Sequence, residues 1–140
     1  MFRDGDKVDT RTLSPIQLAY IGDAVYELLV RTYLITNKEL TIDKMHKSAV
    51  EFVKAEKQAM YLKEIENILT DEEKDIVRRG RNSKSIPPKN TSFMDYKYAT
   101  GFEALIGYLY LKKNKDRIFK FFEIILSSEK EWKYYESYFR

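Results

Sequence analysis

The chain has 140 residues, 44% of them hydrophobic and 14% aromatic, with a formal net charge of +3. That length supports one domain over residues 1–140 with a substantial core, and not two. The absence of cysteine excludes disulfides, thiolate metal sites and cysteine nucleophiles. The charged opening MFRDGDKVDT does not read as a signal peptide, and no apolar run nears the roughly 20 residues of a membrane span. A cytoplasmic protein without a membrane partner is expected.

Taken in chain order, the pattern is helical throughout. Ser14, Pro15 and Gln17 form a capping-box sequence with proline at the first helical position. The helix they open is expected to reach Thr36 or Asn37, with Leu18, Ile21, Val25, Leu28 and Leu29 as its apolar stripe. Thr41 or Asp43 caps a second helix carrying Met45, Ala49, Phe52 and Val53. A third, from about Ala55 to Leu69, presents Met60, Tyr61, Ile65 and Leu69. Thr70 and Glu73 form another capping box, opening a short helix that ends near Gly80. The segment NSKSIPPKNTSFMD follows, with two of the chain's three prolines, and reads as irregular. Helical pattern resumes near Tyr96 and runs to Lys113. Two last helices are expected at about 115–126 and 129–139. Strand-like alternation, internal repeats and low-complexity tails are absent from the sequence.

The charge is unevenly spread. Between Arg78 and Lys97 stand six basic residues and a single acid, Asp95, so this window alone carries more positive charge than the whole chain. Arg78, Arg79, Arg81, Lys84, Lys89 and Lys97, with the neutral hydrogen-bonding residues Asn82, Ser83, Asn90 and Thr91, point to a polyanionic partner bound by a basic loop at about 81–95. The competing reading is a solvated connector, with Arg78 and Arg79 complementing a helix dipole.

Two carboxylates stand inside apolar helices. Asp23 lies in QLAYIGDAVYELLVR beside Gly22 and near Ala19. Glu103 lies in TGFEALIGYLYL between Gly101 and Gly107. Small residues allow two helices to approach closely, as two carboxylates sharing one ion would require. Such a hard oxygen site suits Mg²⁺, with Mn²⁺ able to substitute, rather than zinc. An acid on a helix is ordinarily a solvated residue or an ion-pair partner, and Glu27, four residues before Arg31, reads as that ordinary case. His46, the single histidine, reads as structural, or as an RNA neighbour beside Lys44 and Lys47. The aromatic FKFFEIIL reads as core. No phosphate-binding glycine loop is present.

Together the two acidic segments resemble a known pair of motifs. YIGDAVYELLV is similar to the ribonuclease III signature, and TGFEALIGYLYL resembles that family's second acidic motif, in the right order. With RRGRN and PPKNT added, the whole chain resembles the Mini-ribonuclease III family. The resemblance implies an all-α, ribonuclease III endonuclease-domain-like helical bundle with no separate double-stranded-RNA-binding domain. It implies Asp23 and Glu103 as catalytic and Mg²⁺-binding residues, and double-stranded precursor 23S ribosomal RNA as substrate. The products would carry 5′-phosphate and 3′-hydroxyl ends with a short 3′ overhang. A homodimer is implied, with a large-subunit ribosomal protein as helper; the abundant tyrosines and the apolar C-terminal EWKYYESYF fit a subunit interface and an ordinary core equally well. This chain departs from the longer enzymes at three acidic positions, which here hold Ile16, Ala19 and Thr100. Those departures motivate a second hypothesis, a non-catalytic duplex-RNA-binding protein of ribosome assembly. A helical nucleotide hydrolase is a third, and leaves the basic loop unexplained.

Overall fold

The computed structural model describes the backbone of residues 8–37 and 41–139 and the side chains of residues 8–36 and 41–129. Among them every regular element is helical. In chain order they are α1 (Pro15–Asn37), α2 (Ile42–Val53), α3 (Ala55–Ile65), α4 (Asp71–Arg81), α5 (Phe93–Leu111) and α6 (Lys115–Phe139), with 3-10 turns at Thr10–Thr12 and Glu66–Ile68.

Local cap chemistry explains several of these starts. The Ser14 backbone N–H donates to Gln17 Oε1 at 2.8 Å and the Gln17 N–H donates to Ser14 Oγ at 3.2 Å. Thr41 caps α2, and Thr70 and Glu73 complete a reciprocal box at α4. These bonds satisfy amide groups that the first helical turn leaves without partners. Ser92 caps α5, so that helix begins a turn earlier than the pattern predicts and ends at Leu111 rather than Lys113. The third helix is shorter than predicted, giving way to the 3-10 turn at Glu66.

One predicted break does not occur. Residues 115–139 form the single helix α6, because Ser127 and Ser128 are neither glycine nor proline and do not interrupt a helix. Tertiary bonds hold it past that point: the Tyr61 hydroxyl donates to Glu129 at 2.6 Å and Lys57 Nζ lies 3.1 Å from the same oxygen. The expected interface segment EWKYYESYF has its side chains outside the described residues.

Helix α5 runs through the centre and packs against α1, α3 and α4. From Ala99 to Leu109 every side chain is buried except Glu103. A helix that is apolar all round belongs inside a fold, which makes the one partly open acid conspicuous.

The buried stripe of α1 is rotated from the predicted one. Leu18, Tyr26, Val30 and Leu34 are in the core, while Leu28 is 66% exposed. The small residues Ala19 and Gly22 mark the contacted side, since close helix approach selects against bulk. A second apolar line, Tyr20 (82% exposed), Leu28 and Ile35 (66%), is left facing outward.

Candidate active site

Helices α1 and α5 cross in backbone contact. A Cβ on Gly22 would lie 1.7 Å from the Glu103 carbonyl oxygen, and one on Gly107 would lie 1.9 Å from that of Leu18. No side chain fits either gap. The crossing sets Asp23, next to Gly22, against Glu103, and the two carboxyl groups share a hydrogen bond. Gly101 was expected to help this approach and does not. Its missing Cβ makes room for Val77 on α4, where Gly80 meets it in a second close crossing.

The electrostatics divide unequally between the pair. Glu103 is half-buried and Asp23 exposed at the edge of α1, so the desolvation expected at Asp23 falls on Glu103 instead. Burial first, then the hydrogen bond and charge of Asp23, push Glu103 up to about 9. Burial and the facing acid thus favour the protonated form of Glu103. An acid raised by burial and by a second acid facing it is the signature of a candidate functional site.

The neighbouring positions add no further acid. Ala19 is 8% exposed and offers no ligand. Thr100 is 5% exposed, and its hydroxyl donates to the Tyr96 carbonyl at 2.9 Å. Among the described residues no group of three or more His, Asp or Glu side chains converges. The donor set is two carboxylates reaching from separate helices to a solvent-facing edge. That fits a hard, strongly hydrated cation such as Mg²⁺, which keeps several waters and needs few protein oxygens.

The basic segment is sorted by its partners. Arg78 is paired with Asp75 on α4. The Arg79 guanidinium donates to the Leu13 carbonyl at 3.5 Å, tying α4 to the approach of α1. Arg81 stacks on the Tyr98 ring, 4.5 Å from its centroid, and Lys97 lies 4.8 Å from that of Phe93. Lys84 and Lys89 are exposed in the Asn82–Ser92 connection, together with Asn82 and Asn90, whose φ is 66°. Arg81, Asn82, Lys84 and Lys97 surround a pocket of about 180 Å³ closed by Ser83, Ser85, Phe93, Tyr96 and Thr100. Ser83 was expected among the hydrogen-bonding groups of the segment, while Ser85, Phe93, Tyr96 and Thr100 were not expected in this pocket. The available signal was the i, i+4 spacing of Phe93 and Lys97 and the interleaving of rings with cations. Glu27 forms the expected ion pair with Arg31 at 2.7 Å. His46 lines a different groove, between α1 and α2, with Leu34, Ile35, Ile42 and Met45.

A helical fold whose central helix sets one acid against another, flanked by a cationic pocket, is the architecture of a phosphodiester-cleaving domain. The ribonuclease III domain family matches residues 16–114. The chain is 44% identical over 127 residues to a Mini-ribonuclease 3 of Clostridium tetani, covering 89% of this chain and 84% of that protein. It is 50% identical over 114 residues to a Mini-ribonuclease 3 of Thermoanaerobacter sp., covering 81% and 80%. A crystal structure of a Fusobacterium nucleatum protein superposes with a TM-score of 0.80 at 36% identity, over 89% of this chain and 99% of that one. The chain belongs to the Mini-ribonuclease 3 branch of the ribonuclease III family.

Proposed function

We propose that the protein is a Mg²⁺-dependent endoribonuclease that cuts double-stranded RNA, with Mn²⁺ able to substitute. The observation that carries this reading is the Asp23–Glu103 pair, held across a crossing that admits no side chain. The two carboxylates would hold the metal, which when bound supplies an activated water and charge stabilisation at the cleaved phosphate. Releasing the Glu103 proton leaves both acids anionic and able to bind a cation. Asp23, at the exposed edge, meets substrate first. Arg81, Lys84 and Lys97 hold the RNA backbone beside them, and Lys89, Asn82 and Asn90 extend that contact along the connection. Arg78 and Arg79, already engaged with Asp75 and Leu13, add long-range attraction.

The product ends, 5′-phosphate and 3′-hydroxyl, and precursor 23S ribosomal RNA as a cytoplasmic substrate are proposed from the family resemblance. A homodimer accords with the outward line of Tyr20, Leu28 and Ile35, which continues onto Ile42 of α2. Exposed apolar surface of that extent marks an interaction face. A large-subunit ribosomal protein is a further partner proposed from the family resemblance.

The test is cleavage of a long RNA duplex with Mg²⁺ or with chelator, comparing wild type with Asp23→Asn and Glu103→Gln. Wild type is expected to cut only with the metal, and each variant to bind the duplex but cut at least 100-fold more slowly. Duplex binding by wild type without any cutting would leave a non-catalytic RNA-binding protein. Undiminished cutting by both variants would move the active site elsewhere.

A further inference from the structure

The pocket beside the acid pair has a chemistry more specific than positive charge. It is bounded by the end of α4, residues 82–85 and the first turns of α5. Tyr96, Thr100 and Glu103 follow one another at helical spacing on α5, so the pocket begins one turn from Glu103 and extends about 10 Å along the helix. That separation corresponds to a few nucleotides along one strand of a duplex.

Its lining combines three cations with the hydroxyls of Ser83, Ser85, Tyr96 and Thr100, the Asn82 amide and the Phe93 ring. The cations are Arg81, Lys84 and Lys97, and no carboxylate lines the pocket. Rings restrain Arg81 and Lys97, so less side-chain entropy is lost when an anion binds. Two of the hydroxyls behave differently. Ser83 Oγ donates its hydrogen to the Gly80 carbonyl at 2.7 Å, and Thr100 donates to Tyr96. With their hydrogens committed, Ser83 and Thr100 retain lone pairs and act as acceptors. An acceptor repels a phosphate oxygen and suits a hydroxyl donor. Cations with acceptors therefore fit a phosphate joined to a sugar that carries a free hydroxyl.

We infer that this pocket seats one ribose-phosphate unit of the RNA near the cut, with Arg81, Lys84 and Lys97 on the phosphate and Ser83 or Thr100 accepting the one hydrogen of its 2′-hydroxyl. The inference rests on the nuclease reading for its place beside the reacting phosphate. It adds that the pocket is where the protein distinguishes RNA from DNA, because only RNA carries the hydroxyl that the acceptors need. Ser83 or Thr100 is thus the specificity-determining residue, and nothing in the chemistry at Asp23 and Glu103 depends on it.

The experiment uses RNA duplexes in which a single 2′-deoxynucleotide is moved through the positions flanking the cut. Cleavage and binding are both measured for wild type, Ser83→Ala, Thr100→Val and Lys97→Met. For wild type, one position is expected to lower kcat/KM about tenfold, the scale of one lost hydrogen bond in a built site. In Ser83→Ala or Thr100→Val the all-RNA duplex should be cut more slowly and the penalty at that position should vanish. Lys97→Met should weaken binding of every duplex alike and reduce the salt slope by about one. The inference is overturned if Ser83→Ala and Thr100→Val both keep the full wild-type pattern of deoxy penalties. Ser83 lies in an irregular connection and its variant does not threaten the fold, and Thr100→Ala replaces Thr100→Val should that variant misfold. If wild type cuts no duplex, the nuclease reading fails separately. The deoxy pattern in binding then decides the pocket's role.

Discussion

The acid crossing and the basic pocket lie side by side on α5 and are built on opposite principles. Asp23 and Glu103 are positioned by backbone against backbone, through two glycines whose missing Cβ atoms would sit under 2 Å from carbonyl oxygens. Arg81, Lys84 and Lys97 are positioned by side chains, rings and an irregular connection. On the proposed function, the difference separates two tasks. A reacting centre tolerates little displacement, and main-chain contact gives it the least freedom. A surface that follows a long polyanion gains from cations that adjust.

That contrast can be broken most severely at the crossing itself. Gly22→Ala forces its Cβ into the Glu103 carbonyl oxygen, and α1 and α5 must move apart. The expected cost is about 3 kcal/mol or more, read as a lower midpoint in thermal or urea unfolding together with loss of cleavage. Ser85→Ala, in the irregular connection, should leave the midpoint unchanged. Equal midpoints for Gly22→Ala and wild type would remove the tight crossing.

The pH dependence of stability sharpens the same contrast. In the metal-free protein Glu103 binds its proton up to about 9, whereas the unfolded chain releases it in the ordinary carboxylate range. The folded state thus gains most at low pH, and this contribution drains away as pH climbs from about 5 towards 9. Thermal midpoints at a series of pH values should show that decline. Glu103→Gln should flatten it, and Mg²⁺ should raise the midpoint most at the alkaline end.

Among the cations the effects are smaller and graded. Arg81→Ala removes a ring-held guanidinium from the pocket and should weaken duplex binding about tenfold. Arg78→Ala removes a residue already paired with Asp75 and should weaken it by about threefold or less. Filter binding across a salt series separates the two. Equal losses would mean that the charge acts as a diffuse field, not through a pocket.

Much of this was legible in the sequence, and the rest was not for a consistent reason. Caps at Ser14, Thr41 and Thr70 are local, so the helix starts followed from residues three apart. Small residues near a carboxylate on two apolar helices suggested that Asp23 and Glu103 face one another, and the motif resemblance carried their roles. The exposed setting of Asp23, the role of Gly101 against α4 and the rotated stripe of α1 depend on which helix meets which face, and one helix's periodicity does not encode its partners. Long-range bonds were equally invisible. Arg117 bridges to Glu73 at 2.8 Å, across 44 residues, holding the Glu73 carboxyl below its usual range despite burial. Tyr61 and Glu129 join α3 to α6 across 68 residues and let that helix run past the serines. Arg81 and Lys97 were seen as charges, while the rings that hold them were not.

The most direct test of the paired site is the titration of the Glu103 carboxyl itself, followed by carbon-13 NMR of the metal-free protein. In wild type it should titrate near 9. In Asp23→Asn its value should fall yet stay above the ordinary carboxylate range, because burial, the larger cause, remains. A Glu103 carboxyl that titrates as an ordinary glutamate in both proteins would contradict the shared site.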